Sequence, residues 1–162
     1  MKIEADRIRY RRANVSDVEV LVDCRIRFLN ELYHRPEDSE TQVLREALQE
    51  YFSEAIPPES FIAWLAEYDG KVVGTGGMVV WQIPGRYGGL ESGRAGYILN
   101  MYTTPEARGN GVCTRLLKEL VNEAKSLGIT YLHLHASRDG EGIYRKAGFA
   151  EPKQPELKLR LE

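Results

Sequence analysis

No uninterrupted apolar run in this sequence approaches the roughly 20 residues that a membrane helix needs. Its opening stretch, "MKIEADRIRYRRA", is charged throughout, where a secretory signal would show an apolar core. The expectation is a cytoplasmic protein that meets no membrane. Cysteine is scarce as well: Cys24 and Cys113 lie far apart and lack metal-ligand spacing. That argues against a disulfide framework and for two reduced thiols. Charge of one sign is also missing. With 22 Lys and Arg against 24 Asp and Glu, the net charge is -2, and no broad positive field would draw nucleic acid. No internal repeat, low-complexity tract or linker divides the 162 residues, so 1–162 reads as one domain.

Strand and helix patterns interleave along the chain. "RIRYRRA" reads as a first strand ending near Asn14, where Asn14 and Asp17 resemble a helix start. Val18, Leu21, Val22, Phe28, Leu29 and Leu32 then recur at helical spacing. After "HRPEDSE", Ser39 and Gln42 suggest a capping box for a second helix, which Pro57-Pro58 end. "SFIAWLAEYDGKVVGTGGMVVWQI" reads as a hairpin around Asp69-Gly70. "PGRYGGLESGR" is a glycine-rich loop suited to mobility or substrate access. A strand at 95–102, a helix ending near Gly128 and the strand "YLHLHA" should form a right-handed parallel β-α-β unit. A short helix "GEGIYRKAG" and a last alternating strand "ELKLRLE" complete the pattern.

The chemistry concentrates in "TTPEARGNGVCTRLLKEL", which joins the strand to the helix of that unit. A helix start exposes unpaired N–H groups at the positive end of the helix dipole. Glycines let a bulky anion approach such a backbone, and Arg108 and Arg115 add charge, so the stretch is built for phosphate. It is not a nucleotide P-loop, which needs Lys and then Ser or Thr where Val112-Cys113 stand. Nor is it a dinucleotide fingerprint, whose third glycine is replaced by Thr114.

Arg108-Gly109-Asn110-Gly111-Val112-Cys113 resembles the acetyl-CoA signature of the GNAT (GCN5-related N-acetyltransferase) superfamily, Gln/Arg-x-x-Gly-x-Gly/Ala. About thirty residues on, "GIYRKAGFAEP" resembles that family's tyrosine followed by Gly-Phe. The order of elements matches over nearly the whole chain. Two departures stand out: Cys113 replaces the last small residue, and Ser137 stands where many members have asparagine.

The resemblance implies an α/β fold: a mixed, strongly twisted central sheet flanked by helices on both faces. A cofactor cleft should open between the strand ending near Thr103 and the one ending near Ala136. It also implies transfer of an acetyl group from acetyl-CoA, as co-substrate, to an amine of a small molecule or peptide by direct attack in a ternary complex. The rivals are an antibiotic- or toxin-modifying enzyme and a catalytically inactive CoA-binding regulatory module. Met101, Tyr102, Thr103, the run Arg108, Gly109, Asn110, Gly111, Val112, Cys113 and Thr114, and Ser137 and Tyr144 would contact the cofactor. Backbone N–H groups of Asn100 to Tyr102 would meet the developing oxyanion.

The same resemblance makes Tyr144 the acid for the leaving thiolate. A base is needed because a lysine-like amine has a reference pKa near 10.4, and neutralising it at pH 7 costs on the order of 4–5 kcal/mol. His133 and His135 share one face of "YLHLHA", and His135 lies nearer the strand end that commonly opens onto a ligand crevice. His135 is therefore the candidate base. Two histidines make no zinc site, and no metal is expected. Glu31, Glu37 and Asp38 fall where this family often builds its acceptor pocket, and Glu31 is the substrate candidate among them. Asn100 is the other, because an amide inside an apolar strand needs partners. A homodimer is admitted but not specified.

Overall fold

The computed structural model describes residues 3–87 and 93–161. Five strands form one sheet in the order β1-β2-β3-β4-β5. They are β1 (Arg9–Arg12), β2 (Phe61–Tyr68), β3 (Lys71–Gln82), β4 (Arg94–Thr103) and β5 (Leu132–Leu134). The first three pairings are antiparallel and the β4–β5 pairing is parallel. Between strands run α1 (Val18–Tyr33), α2 (Ser39–Ala55), α3 (Val112–Ser126) and α4 (Glu141–Lys146). The expected mixed sheet, hairpin and parallel β-α-β unit are all present. Both cysteines are free thiols. The central residues of the loop read at 84–93 lie outside the described residues.

Each face of the sheet has its own core. On one, Leu21, Val22 and Ile26 of α1 and Phe52 of α2 pack on Phe61 and Leu65 of β2. On the other, Leu117 and Leu120 of α3 and Tyr144 of α4 pack on Met78 and Ile98. Glycines in β3 let α3 press onto the sheet: a Cβ at Gly74 would stand 2.7 Å from Val112 Cγ1 and 3.1 Å from Tyr102 O. That close approach fixes the first residue of α3 against β3.

The start of α1 shows how local chemistry seats a helix. Asn14 and Asp17 form a reciprocal capping box around a 3-10 turn at Val15–Asp17, which leads directly into α1. The buried Asp17 carboxylate also accepts two bonds from the Arg11 guanidinium, at 2.7 and 2.8 Å. Arg11, mainly by these bonds, holds Asp17 below the usual carboxylate range. The resulting stabilisation is complete above the ordinary carboxylate value of about 4 and is lost as pH falls through the depressed folded value. Because Arg11 is partly exposed, Asp17→Asn should cost about 1–2 kcal/mol at pH 7. Urea unfolding should show that difference shrinking in acid below pH ~4.

Three expectations need correction. The box at α2 is Asp38 with Thr41, not Ser39 with Gln42: the Asp38 carboxylate accepts from Thr41 N, and Thr41 Oγ1 accepts from Asp38 N. β5 is shorter than "YLHLHA", so His135 lies just past its end. The terminal segment forms no strand over the described residues 156–161. Its alternating Leu157, Leu159 and Leu161 are exposed. Alternation shows which residues could share a face, but pairing needs a neighbouring strand in register, and β5 is engaged over three residues only.

Candidate active site

The parallel pair β4–β5 holds together only where Gly96, Tyr97 and Ile98 meet Leu132, His133 and Leu134. β4 then runs on to Thr103 without that partner, so the two strands part toward their C-terminal ends. The cofactor cleft is expected along this stretch of β4 that β5 does not pair. At Asn100 the β4 backbone turns left-handed, with φ +55°, beside a register shift in its pairing with β3. Asn100 is buried, and its Oδ1 has no hydrogen-bond partner. The hydroxyls of Thr103 and Thr104 are also buried without partners. Such groups are costly in a finished interior, and here they gather along the strand that borders the opening.

The turn after β4 carries the anion chemistry. Gly109 and Gly111 take φ values of +80° and +75°, a region that glycine enters without penalty. Asn110 stiffens the turn, its Nδ2 donating to Ala107 O and Arg108 O. Among the described residues, the backbone N–H groups from Gly109 to Thr114 have no protein acceptor. A Cβ at either glycine would meet nothing within 4 Å. Free donors, open space and the positive end of a 15-residue helix therefore coincide. This cradle fits the diphosphate of acetyl-CoA.

The two arginines behave differently from a simple charged entrance. Arg108 donates from Nε to Thr103 O at 3.1 Å and pairs with Glu31 at 2.5 Å. Glu31 also accepts from Tyr102 Oη at 3.0 Å, and burial followed by Glu31 pushes the Tyr102 phenol up to about 12. A cofactor candidate and a substrate candidate are thus tied together. Arg115 is committed elsewhere, to Glu119 at 2.6 Å and over the Tyr10 ring.

Tyr144 sits in the core shared with Leu117, Leu120 and Ala124 of α3, its ring edge-on to Phe149. Burial first, and then Cys113, raise its phenol well above the ordinary value. Burial raises the Cys113 thiol as well. Ser137 Oγ accepts from Gly140 N at 3.3 Å at the start of α4. Met101 is half-buried among residues of the α3 side.

His135 lies on the opposite face of the sheet from Tyr144. Its Nδ1 shares a 2.7 Å hydrogen bond with Tyr97 Oη. Its Nε2 faces Glu156 at 3.3 Å and the Lys158 amine. Sequence reading missed what surrounds His135. Trp81 stacks on Tyr97 with centroids 6.0 Å apart, and both rings contact His133 at 5.0 and 4.9 Å. Each residue occupies an alternate strand position, but only the register between strands brings them together. Among the described residues no group of three His, Cys, Asp or Glu could hold a metal ion. No described helix is long and apolar enough to cross a membrane.

The sequence matches the Acetyltransferase (GNAT) family over residues 26–149, and the chain belongs to that family. By family and fold it is an acetyltransferase. It is similar to a predicted acetyltransferase from Clostridium acetobutylicum solved with acetyl-CoA, at 34% identity and TM-score 0.84, covering 94% of this chain and 96% of that one. A GCN5-related N-acetyltransferase from Ralstonia eutropha JMP134 shares the fold at 21% identity and TM-score 0.80, covering 94% and 98%. So does glucosamine-6-phosphate N-acetyltransferase from Arabidopsis thaliana, at 19% and 0.68, covering 94% and 97%. No curated protein matches the sequence significantly.

Proposed function

We propose that the chain is a single-domain, acetyl-CoA-dependent N-acetyltransferase whose acceptor is an amine of a small molecule or peptide. The observation that carries this reading is the run of unpaired N–H groups from Gly109 to Thr114 beside the parting of β4 and β5. The Clostridium relative's acetyl-CoA and the amino-sugar acceptor named for the Arabidopsis protein support the same chemistry.

Acetyl-CoA supplies an activated thioester. The residues of this chain do the rest. The turn at 109–114 holds the diphosphate, and the β4 backbone from Asn100 to Tyr102 offers N–H groups to the thioester oxygen. The amine must lose a proton to attack. With Nε2–H donating to Glu156, the Nδ1 lone pair accepts from the Tyr97 hydroxyl, and His135 takes the amine's proton through that hydroxyl. The new C–N bond forms as the C–S bond breaks, and Tyr144 donates its proton to the departing sulfur before recovering one from solvent.

Thiol release from acetyl-CoA across a panel of amines tests the activity. Turnover with at least one amine is expected, whereas tight cofactor binding without turnover on any would leave a regulatory module. With a productive acceptor, kcat/KM should rise with pH until base and amine are both deprotonated. His135→Ala should remove the limb belonging to the base, leaving a slower reaction that follows the amine's own ionisation. Tyr97→Phe should do the same if the hydroxyl is the relay. A wild-type profile in both variants would move the base to Glu31, Asp38 or a water chain.

A further inference from the structure

Arg25 is out of place in an ordinary helix. It lies on α1, half-buried, on the side that packs against β4. Among the described residues it has no ion pair and no hydrogen bond. Its guanidinium rests 5.7 Å from the Phe28 ring centroid. Burial disfavours its charge, and only the phenols of Tyr33 and Tyr97 offset this. The other half-buried cations of the fold do not behave this way: Arg11 has Asp17 and Glu67, and Arg45 has Asp23. A desolvated guanidinium without a carboxylate costs stability, and the protein gains nothing from it unless something else pairs with it.

Its surroundings say what that is. Tyr97, whose phenol favours the Arg25 charge, belongs to a wall of Trp81, Tyr97 and His133 on the face of β4 that α1 covers. Tyr131 extends that wall from the loop before β5, 6.0 Å from His133. Trp81 and Tyr131 are each about two-fifths exposed (40% and 41%), so the wall is open to a ligand. His133 Nδ1 is buried without a partner. Burial keeps this imidazole below its ordinary value, so it adds a hydrogen-bonding group and no second positive charge at pH 7. The half-buried Arg25 guanidinium matches a negative charge, and its planar fork pairs bidentately with a carboxylate, while the exposed Arg86 guanidinium lies over the Tyr131 ring at 5.3 Å at the outer end of the wall.

We propose that the acceptor is an amine that also carries a carboxylate, held by Arg25, with an apolar or aromatic body lying on the Trp81–Tyr97–His133 wall. This rests on the N-acetyltransferase reading and narrows its substrate class. It separates the acceptor from purely cationic amines such as polyamines, which the uncompensated charge of Arg25 repels.

Paired acceptors that differ in the acid test it, with rates compared per neutral amine: phenylalanine against phenylalaninamide, and 4-(aminomethyl)benzoate against 4-(aminomethyl)benzamide. The carboxylate member of at least one pair should be favoured in kcat/KM by about tenfold to a hundredfold, the range of a charge-assisted pair. Arg25→Gln should collapse that ratio to about threefold or less, and Arg25→Lys should restore part of it. Circular dichroism and urea unfolding establish that each variant is folded. Calorimetry with the CoA-loaded enzyme reads the same contrast as affinity, without turnover. Preference for the amide members, equal binding of both, or a ratio untouched by Arg25→Gln overturns the inference while acetyl transfer stands. Absence of thiol release with every amine, including these, instead sinks the N-acetyltransferase reading, and the calorimetric contrast then decides whether Arg25 holds a carboxylate.

Discussion

Gly111→Glu should abolish acetyl-CoA binding, with calorimetry showing a loss on the order of 100-fold or more, about 2.7 kcal/mol. The reason is electrostatic before it is steric. Gly111 precedes the first residue of α3, in the left-handed region, among N–H groups with no protein acceptor. A carboxylate there would take the place of the cofactor's phosphate and satisfy the donors that should bind it. The backbone also contributes, since a non-glycine residue at φ +75° is strained by roughly 1–2 kcal/mol. Gly111→Ala separates the two effects. Its Cβ meets nothing within 4 Å, so this variant carries the strain without the charge and should keep much of the affinity. If folded Gly111→Glu binds acetyl-CoA as wild type does, the turn does not hold the diphosphate.

The turn was legible because everything it needs is local. Two glycines two residues apart, a helix beginning between Gly111 and Val112 and a preceding apolar strand can all be read along one stretch of chain. The same holds for Asp69-Gly70, where both residues adopt positive φ between β2 and β3. Acceptor-side features depend on distant pairings instead. Arg108 and Glu31 are 77 residues apart, and nothing in either neighbourhood announces their ion pair. Trp81, Tyr97 and His133 come from three strands and meet only because the β3–β4 and β4–β5 registers align them. Arg25 stands within the apolar face of α1, and only its lack of a carboxylate partner among the described residues gives it meaning. The terminal leucines show the converse error. Their period of two was a sound strand signal locally, yet the described tail has no ladder to join.

Tyr144→Phe should lower turnover tenfold or more while changing acetyl-CoA affinity little, toward the low side of the ~10²–10⁴ usual for general acid–base catalysis. The substitution keeps the ring that packs against Phe149 and the α3 residues, and it removes only the hydroxyl. Burial pushes the phenol upward, so Tyr144 holds its proton throughout the working pH range. Two consequences follow. Wild-type kcat should show no descending limb from loss of this proton below the ordinary tyrosine value near 10. The variant's deficit should also depend on the leaving group: a thioester whose thiol is more acidic needs less protonation, so replacing acetyl-CoA with such an acetyl donor should narrow the gap between variant and wild type. A packing role predicts neither the leaving-group dependence nor unchanged affinity. Turnover equal to wild type, measured in single-turnover experiments where chemistry sets the rate, would show that the departing sulfur takes its proton from elsewhere, and the Tyr144 hydroxyl would then have no part in catalysis.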